Sequence, residues 1–335
     1  MKAIVAYGAK DYRFCEVDTP KVGEGEILIK IEAAGICASD RAVYMGGDPW
    51  GGIESPRVPG HEFVGTVEEI GPGAEEKGFV RGDRVTAECI MPCGKCYYCK
   101  KGDDENGFLE GGFAEYMLLP KNALIHKVSK DIPAVEAALC EPLSCSAYAV
   151  NQTGMGMEDT VVISGLGAIG MGMLQFALLR NPKRVIGIDT NDALCEIAKK
   201  LGAAEVLNPM KEDVTKRIME LTDGVGCDIY MEATGNPASV ETGMNCLRKQ
   251  GMLFIYSVFK KKAEIDLNQI SEFKELRVIG GHLSPGAFPY TIDCLEKGKI
   301  NAKVMVTDIF ALNEIDEAMS AKKPDRVSIK TVLVP

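Results

Sequence analysis

The chain has 335 residues, 46% apolar and 26% charged, with a formal net charge of -10 and twelve cysteines. That length suits two compact cores at roughly 150 residues each, and the composition excludes a disordered or fibrous chain. The acidic balance argues against nucleic acid and anionic membrane as partners, because both attract clustered Lys and Arg, and the run Lys260 to Lys262 reads as a solvated turn.

The opening MKAIVAYGAK lacks the apolar core of a signal peptide, so cytoplasmic residence with reduced thiols is expected. Short β signals follow, KAIVAY, EILIKIEAAGI, EFVGTVEEIG and GDRVTAE, broken by Gly, Pro and acidic turns. They predict a small, mostly β barrel. From about Thr160 the texture changes to short apolar runs alternating with amphipathic helical segments, the pattern of a parallel sheet covered on both faces. VVIS, RVIGID, CDIYMEAT and GMLFIYS read as its strands, with ALCEIAKKL and DVTKRIMEL as helices. Val161 to Leu179 is apolar enough to suggest a membrane span, yet it holds four glycines, Ser164 and Gln175 and divides into strand and helix. After Leu283 the helical signals YTIDCLEKG and EIDEAMSAK precede a last strand, IKTVLV, and this tail is expected to return to the first core.

Residues Gly165, Leu166, Gly167, Ala168, Ile169 and Gly170 spell GLGAIG between the strand TVVIS and a helix. In that context the first glycine makes a tight turn, the second admits a pyrophosphate, and the third lets helix pack on strand. Asp189 ends the next strand, 24 residues after Gly165, where its carboxylate suits ribose hydroxyls and repels a 2′-phosphate. Thr190, Asn191, Asp192 and Ala193 bring no cation, so NAD is expected over NADP. Thr234 and Gly235, closing the fourth strand, complete the expected cofactor contacts.

Cys37 lies in GICASD, and His61 with Glu62 in PGHEFVG. Thiolate, imidazole and carboxylate together suit zinc with one open position. Cys93, Cys96 and Cys99 form CxxCxxC, a spacing that reads as a structural zinc lobe. Cys15, Cys195, Cys227, Cys246 and Cys294 have no partner at ligand spacing and read as buried apolar residues.

The spacing of Gly60, His61, Glu62, Gly65, Gly71 and Ala74, followed by Gly82, Asp83, Arg84 and Val85 and then by the glycine loop, closely resembles the zinc-containing medium-chain dehydrogenase/reductase family, which includes alcohol, sorbitol and threonine dehydrogenases. The resemblance covers essentially the whole chain. It implies a GroES-like mostly β catalytic domain over 1–148 and 284–335, and a Rossmann doubly wound parallel-sheet domain over 149–283 that binds NAD. It also makes Cys37 and His61 catalytic zinc ligands, with Glu62 and Glu141 competing for the remaining position and Cys140 and Cys145 as stand-ins. Ser39 is implied as the hydroxyl that takes the alcohol proton, and Asp40 as a residue behind the ligands. Ala42 stands where alcohol dehydrogenases continue the relay with a histidine.

The family closes the cysteine lobe with a fourth cysteine eight residues after the third, where this chain has Gly107. Weaker zinc binding, or recruitment of Asp103, Asp104, Glu105 or Cys89, is then expected. Glu141-Pro142 and the run Gly280 to Ile300 resemble the sorbitol branch and imply oxidation of a polyol or sugar alcohol, with Tyr44, Trp50 and His282 as substrate contacts. The alternatives are an L-threonine 3-dehydrogenase using Arg41 or Arg57, a polyol-phosphate dehydrogenase, and a silent NAD-binding relative. A homodimer or homotetramer pairing strands near Leu253 to Ser257 is implied as well.

Overall fold

The computed structural model describes residues 1–48, 54–101, 108–321 and 327–335. The chain begins with β1 (Lys2–Gly8), β2 (Asp11–Glu16), β3 (Ile27–Ile36), α1 (Ala38–Tyr44), β4 (Glu62–Ile70), β5 (Arg84–Ala87), α2 (Tyr97–Lys101), β6 (Tyr116–Leu119), β7 (Ile125–Lys127), α3 (Ala134–Ala137) and α4 (Cys140–Thr153). A regular alternation follows: β8 (Thr160–Ser164), α5 (Ala168–Leu179), β9 (Arg184–Ile188), α6 (Asp192–Leu201), β10 (Glu205–Leu207), α7 (Val214–Leu221), β11 (Cys227–Glu232), α8 (Pro237–Cys246), β12 (Leu247–Ile255) and β13 (Arg277–Gly280). The last elements are α9 (Phe288–Glu296), β14 (Val306–Ala311), α10 (Ile315–Ser320) and β15 (Lys330–Val334). Contacts divide the chain into Met1–Glu141 with Pro285–Lys323 and Ser328–Pro335, and Pro142–Ser284 with Pro324–Val327.

The first unit is built on a mixed sheet ordered β14-β15-β3-β4-β5-β7, with β6 also paired to β3. In β3 the alternation that exposes Lys30 buries Ile27, Ile29 and Ile31, as a half-covered strand requires. These isoleucines join Phe63, Phe113 and Leu119 in one core, each fully buried side chain contributing about 1.5–3 kcal/mol. The C-terminal tail enters this sheet: β15 runs antiparallel to β3 with Thr331 opposite Ile36, and β14 runs parallel to β15.

The second unit is a parallel sheet ordered β10-β9-β8-β11-β12-β13. The order reverses direction after β8, the doubly wound arrangement in which a crevice opens at the carboxyl ends of the strands. Every residue of β8 is buried, which explains its unbroken apolar run. Helix α6 shows the local logic of the crossovers: the Asn191 side chain caps its start, and Gly202 at φ 116° ends it in a conformation that costs other residues a Cβ clash. Val161 to Leu179 falls into β8 and α5 as expected, and among the described residues no helix is long and apolar enough to cross a membrane. One expectation is corrected. The strand through Leu253 is interior, because β13 pairs with its outer side, so the free edges are β10 and β13.

Candidate metal centre and cofactor site

Two neighbouring strands deliver the buried cluster of the first unit. Pairing of β3 with β4 sets Gly35 opposite Glu62, so that Cys37, just past β3, emerges beside His61, just before β4. Gly35 is required here: a Cβ on it would lie 2.2 Å from Glu62 Oε2. Ligand atoms of Cys37, His61 and Glu62 all lie within 4.8 Å of one another, and His61 and Glu62 are buried. Asp40, buried in α1, lies behind both: Oδ2 accepts the Cys37 N–H at 2.8 Å, and Oδ1 lies 3.7 Å from His61 Nδ1. Burial raises the Asp40 carboxyl above its usual range. Burial opposes a charge on His61 too, but Asp40, the Cys37 sulfur and Glu141 outweigh it and hold the imidazole well above its ordinary value. The carboxylates and thiol around His61 favour a cation here, and the set of soft, borderline and hard donors suits zinc.

Glu141, in the first turn of α4, is buried and accepts the Cys89 S–H at 3.5 Å. Its charge is felt at His61, while the three-residue ligand group contains Glu62 and not Glu141. Cys89, two residues after β5, is buried beside Glu141 and is not in the group formed by Cys93, Cys96 and Cys99. Burial pushes the Cys140 thiol up to about 12, and the three-residue ligand group contains neither Cys140 nor Cys145. Ser39 has a buried Oγ with no hydrogen-bond partner among the described residues. A hydroxyl so placed is suited to a group that arrives from outside the chain.

Lys330, at the start of β15, was missed by sequence reasoning. It is buried, and its Nζ donates to Glu62 Oε1 at 2.7 Å, to Oε2 at 2.6 Å and to the Ile36 carbonyl at 3.3 Å. Burial alone would lower its pKa, yet Glu62 and the Cys37 sulfur reverse that and raise it. The sequence signal is one lysine opening the short strand KTVLV.

Of the expected substrate contacts, Tyr44 lies in this unit. Tyr44 donates its hydroxyl to Asp316 at 2.9 Å and packs edge-on against Tyr12, so it is engaged in the core of the unit. Trp50 lies outside the described residues, and His282 is exposed after β13. Arg41 donates to the carbonyls of Ala318 and Met319 and to Thr331, and Arg57 pairs with Glu110. In the cysteine lobe, Cys93 and Cys96 sulfurs lie 3.5 and 3.3 Å from Cys99 Sγ, while the N–H groups of Cys96 and Cys99 donate to Cys93 and Cys96 sulfurs. Asp103, Asp104 and Glu105 lie outside the described residues.

In the second unit the loop between β8 and α5 has the form a pyrophosphate needs. Gly165 turns the chain at φ 93°, and a Cβ on Gly170 would stand 1.7 Å from the Gly165 carbonyl, which excludes any other residue. A Cβ on Gly167 would meet nothing within 4 Å, so the approach to the start of the 12-residue helix α5 is open. Asp189 ties this loop to its own: Oδ2 accepts the Leu166 N–H and Oδ1 the Asn191 N–H, both at 2.8 Å. At the end of β11, buried Glu232 accepts N–H bonds from Thr234 and Gly235 and holds that turn.

Residues 23–130 match the alcohol dehydrogenase GroES-like domain family, and residues 168–297 the zinc-binding dehydrogenase family. The chain is 41% identical to the erythritol/L-threitol dehydrogenase of Mycolicibacterium smegmatis, over 100% of this chain and 98% of that one. It is 36% identical to the L-threonine 3-dehydrogenase of Pyrococcus abyssi, over 98% and 96%. A Sinorhizobium meliloti protein described as a zinc-binding dehydrogenase and bound to NADP superposes with a TM-score of 0.91 at 28% identity, over 100% and 99%. With its GroES-like and Rossmann-type domains, the chain belongs to the zinc-dependent medium-chain dehydrogenase/reductase family.

Proposed function

We propose that the protein oxidises a secondary hydroxyl of a polyol or sugar alcohol to a ketone, with zinc held by Cys37, His61 and Glu62 and with NAD as hydride acceptor. The observation that carries this reading is the buried Cys37, His61 and Glu62 group, with the partnerless Ser39 hydroxyl two residues from Cys37. When bound, zinc supplies Lewis-acid polarisation of the alcohol and the nicotinamide accepts hydride. Asp40 orients His61 and Cys37. Ser39 Oγ accepts the substrate hydroxyl proton and passes it outward. Lys330 neutralises Glu62 within the low-dielectric pocket, and Glu141, held by Cys89, is the alternative carboxylate ligand or a hydroxyl contact.

The polyol reading is supported by the 41% relative. It is further favoured over threonine because Arg41 and Arg57, the cations considered for an amino-acid carboxylate, already serve internal contacts. In the cofactor site, Gly165 to Gly170 cradle the pyrophosphate, Asp189 meets the ribose, and Thr234 and Gly235 border the nicotinamide half. The catalytic domain is assigned to 1–148 and 284–335 and the cofactor domain to 149–283. The Cys93, Cys96 and Cys99 lobe is assigned a second, weaker zinc. A reduced cytoplasmic setting suits a chain with no disulfide among its described residues, and a dimer or tetramer is the assigned assembly, checked by light scattering.

The deciding experiment is NAD-dependent initial rates with erythritol, threitol, xylitol, sorbitol, threonine and polyol phosphates, alongside zinc analysis of the same sample. An unphosphorylated polyol giving the highest kcat/KM is the expected result. Threonine or a phosphorylated polyol winning would overturn the substrate assignment and keep the chemistry; zinc bound without turnover of any of them would overturn the polyol class.

A further inference from the structure

The loops that follow β9 and β10 contain an ion pair that the cofactor reading leaves unused. Register places Leu207 of β10 opposite Ile188 of β9, and the Asp189 N–H donates to the Leu207 carbonyl at 3.2 Å. The two loops therefore begin side by side. Buried Asn208 joins them: its Nδ2 donates to the Thr190 carbonyl at 3.0 Å and to Asp192 Oδ1 at 2.8 Å. The Met210 N–H returns to Asn208 Oδ1 at 2.9 Å, and the N–H groups of Lys211 and Glu212 close on the Asn208 carbonyl. That turn presents Lys211, whose Nζ lies 2.6 Å from Asp192 Oδ2.

Asp189, Asp192 and Lys211 thus form a compact group at the strand end where a dinucleotide fold places the adenosine ribose. Sequence inspection of Thr190 to Ala193 found no cation there, because the lysine comes from the next loop, 19 residues beyond Asp192. A lysine at this position is the type of group that receives a ribose 2′-phosphate. Here it is held by a carboxylate that would itself repel that phosphate, beside a second carboxylate, Asp189, that does the same.

We propose that Asp192 is a specificity-determining residue: by holding Lys211 in an ion pair at the ribose end of the dinucleotide site, it withholds the cation a 2′-phosphate would need. The proposal rests on the NAD reading and deepens it. Discrimination against NADP then has two parts, direct repulsion by Asp189 and sequestration of Lys211 by Asp192. Both residues of the pair are well exposed, so their exchange leaves the core of the unit intact.

The test measures dissociation constants of NADH and NADPH by isothermal titration calorimetry, without substrate, for the native chain, D192N, K211M and D192N/K211M. The native chain is expected to prefer NADH. D192N raises the NADPH-to-NADH affinity ratio on the order of tenfold, the scale of one like charge removed and one cation released at a solvated site. The double variant falls back close to the native ratio, because it removes one negative and one positive charge together and most of the gain is carried by Lys211. An unchanged ratio in D192N, or a gain that survives in D192N/K211M, overturns the proposal while the NAD reading stands. A native chain that itself prefers NADPH overturns the NAD reading and the proposal with it.

Discussion

The two sulfur-containing clusters of the first unit are built to opposite plans. Cys37, His61 and Glu62 are delivered by adjacent strand ends, backed by Asp40 and Lys330, and largely removed from water. Cys93, Cys96 and Cys99 come from one short stretch of chain, with Cys93 exposed and the other two half-buried, and N–H groups of Cys96 and Cys99 donate to the sulfurs three residues back. The first is preorganised by long-range structure and the second by local spacing. A metal at the first therefore shares its binding energy with the fold of the sheet, whereas a metal at the second orders mainly its own loop.

The largest effect is expected at the buried cluster. Replacing Cys37 with Ser removes a ligand that β3 and α1 hold in place, so catalytic zinc and turnover are lost together. Loss of Lewis-acid stabilisation worth several kcal/mol lowers kcat on the order of a thousandfold or more. Zinc analysis beside initial rates checks this, and normal turnover in a zinc-free variant would remove the mechanism. Lys330→Met comes next. It leaves Glu62 buried without its cation, and breaking such a pair costs about 3–5 kcal/mol, read as a lowered urea midpoint at unchanged m-value. Stability within about 1 kcal/mol of the native chain would mean that the pair behaves as a surface one, despite side-chain exposures of 4% and 1%.

This asymmetry also explains what could be read from the sequence. Motif spacing reveals Cys37, His61 and Glu62 because each turn they occupy has its own local requirement, such as Gly35 and Gly60. The glycine loop is legible for the same reason, and the unbroken apolar strands disclose the parallel sheet. Lys330 is not legible, since it reaches Glu62 across 268 residues and no local pattern records that approach. The Cys89 contact with Glu141 is hidden likewise, and spacing alone suggests the nearby lobe instead. The Tyr44 contact with Asp316 is hidden too, because a tyrosine in a short helix can face either way and its partner comes from α10, 272 residues on. Lys211 was overlooked because the search for a cation followed the chain, while β-sheet register brings in the neighbouring loop.

Ser39→Ala separates chemistry from metal binding within the buried cluster. Its Oγ touches no partner among the described residues, so removing it costs the fold little. As a proton acceptor it accounts for roughly 10²-fold in kcat. Retained zinc, an unchanged melting temperature and a fall of that size are expected, with the pH dependence of kcat altered. An equal loss of zinc and activity would make Ser39 a prop for Cys37.

The smallest effect is expected at the lobe, and it tests the comparison most directly. Three sulfurs without a fourth cysteine bind zinc with less than the closed tetrahedral set, and exposure lets a chelator reach them. Brief treatment with EDTA should therefore remove the lobe metal first, taking zinc content from between one and two per chain down to about one while turnover persists. Cys96→Ser with Cys99→Ser should reproduce that lower zinc content, at a stability cost of about 1 kcal/mol and with KM for the alcohol unchanged. If turnover instead falls in step with the lobe metal, the two clusters are not independent. The contacts through which such coupling would run are already visible: Ile90 bridges to Phe108 at the root of the lobe, Phe108 packs 5.0 Å from the His61 ring, and Cys89 holds Glu141.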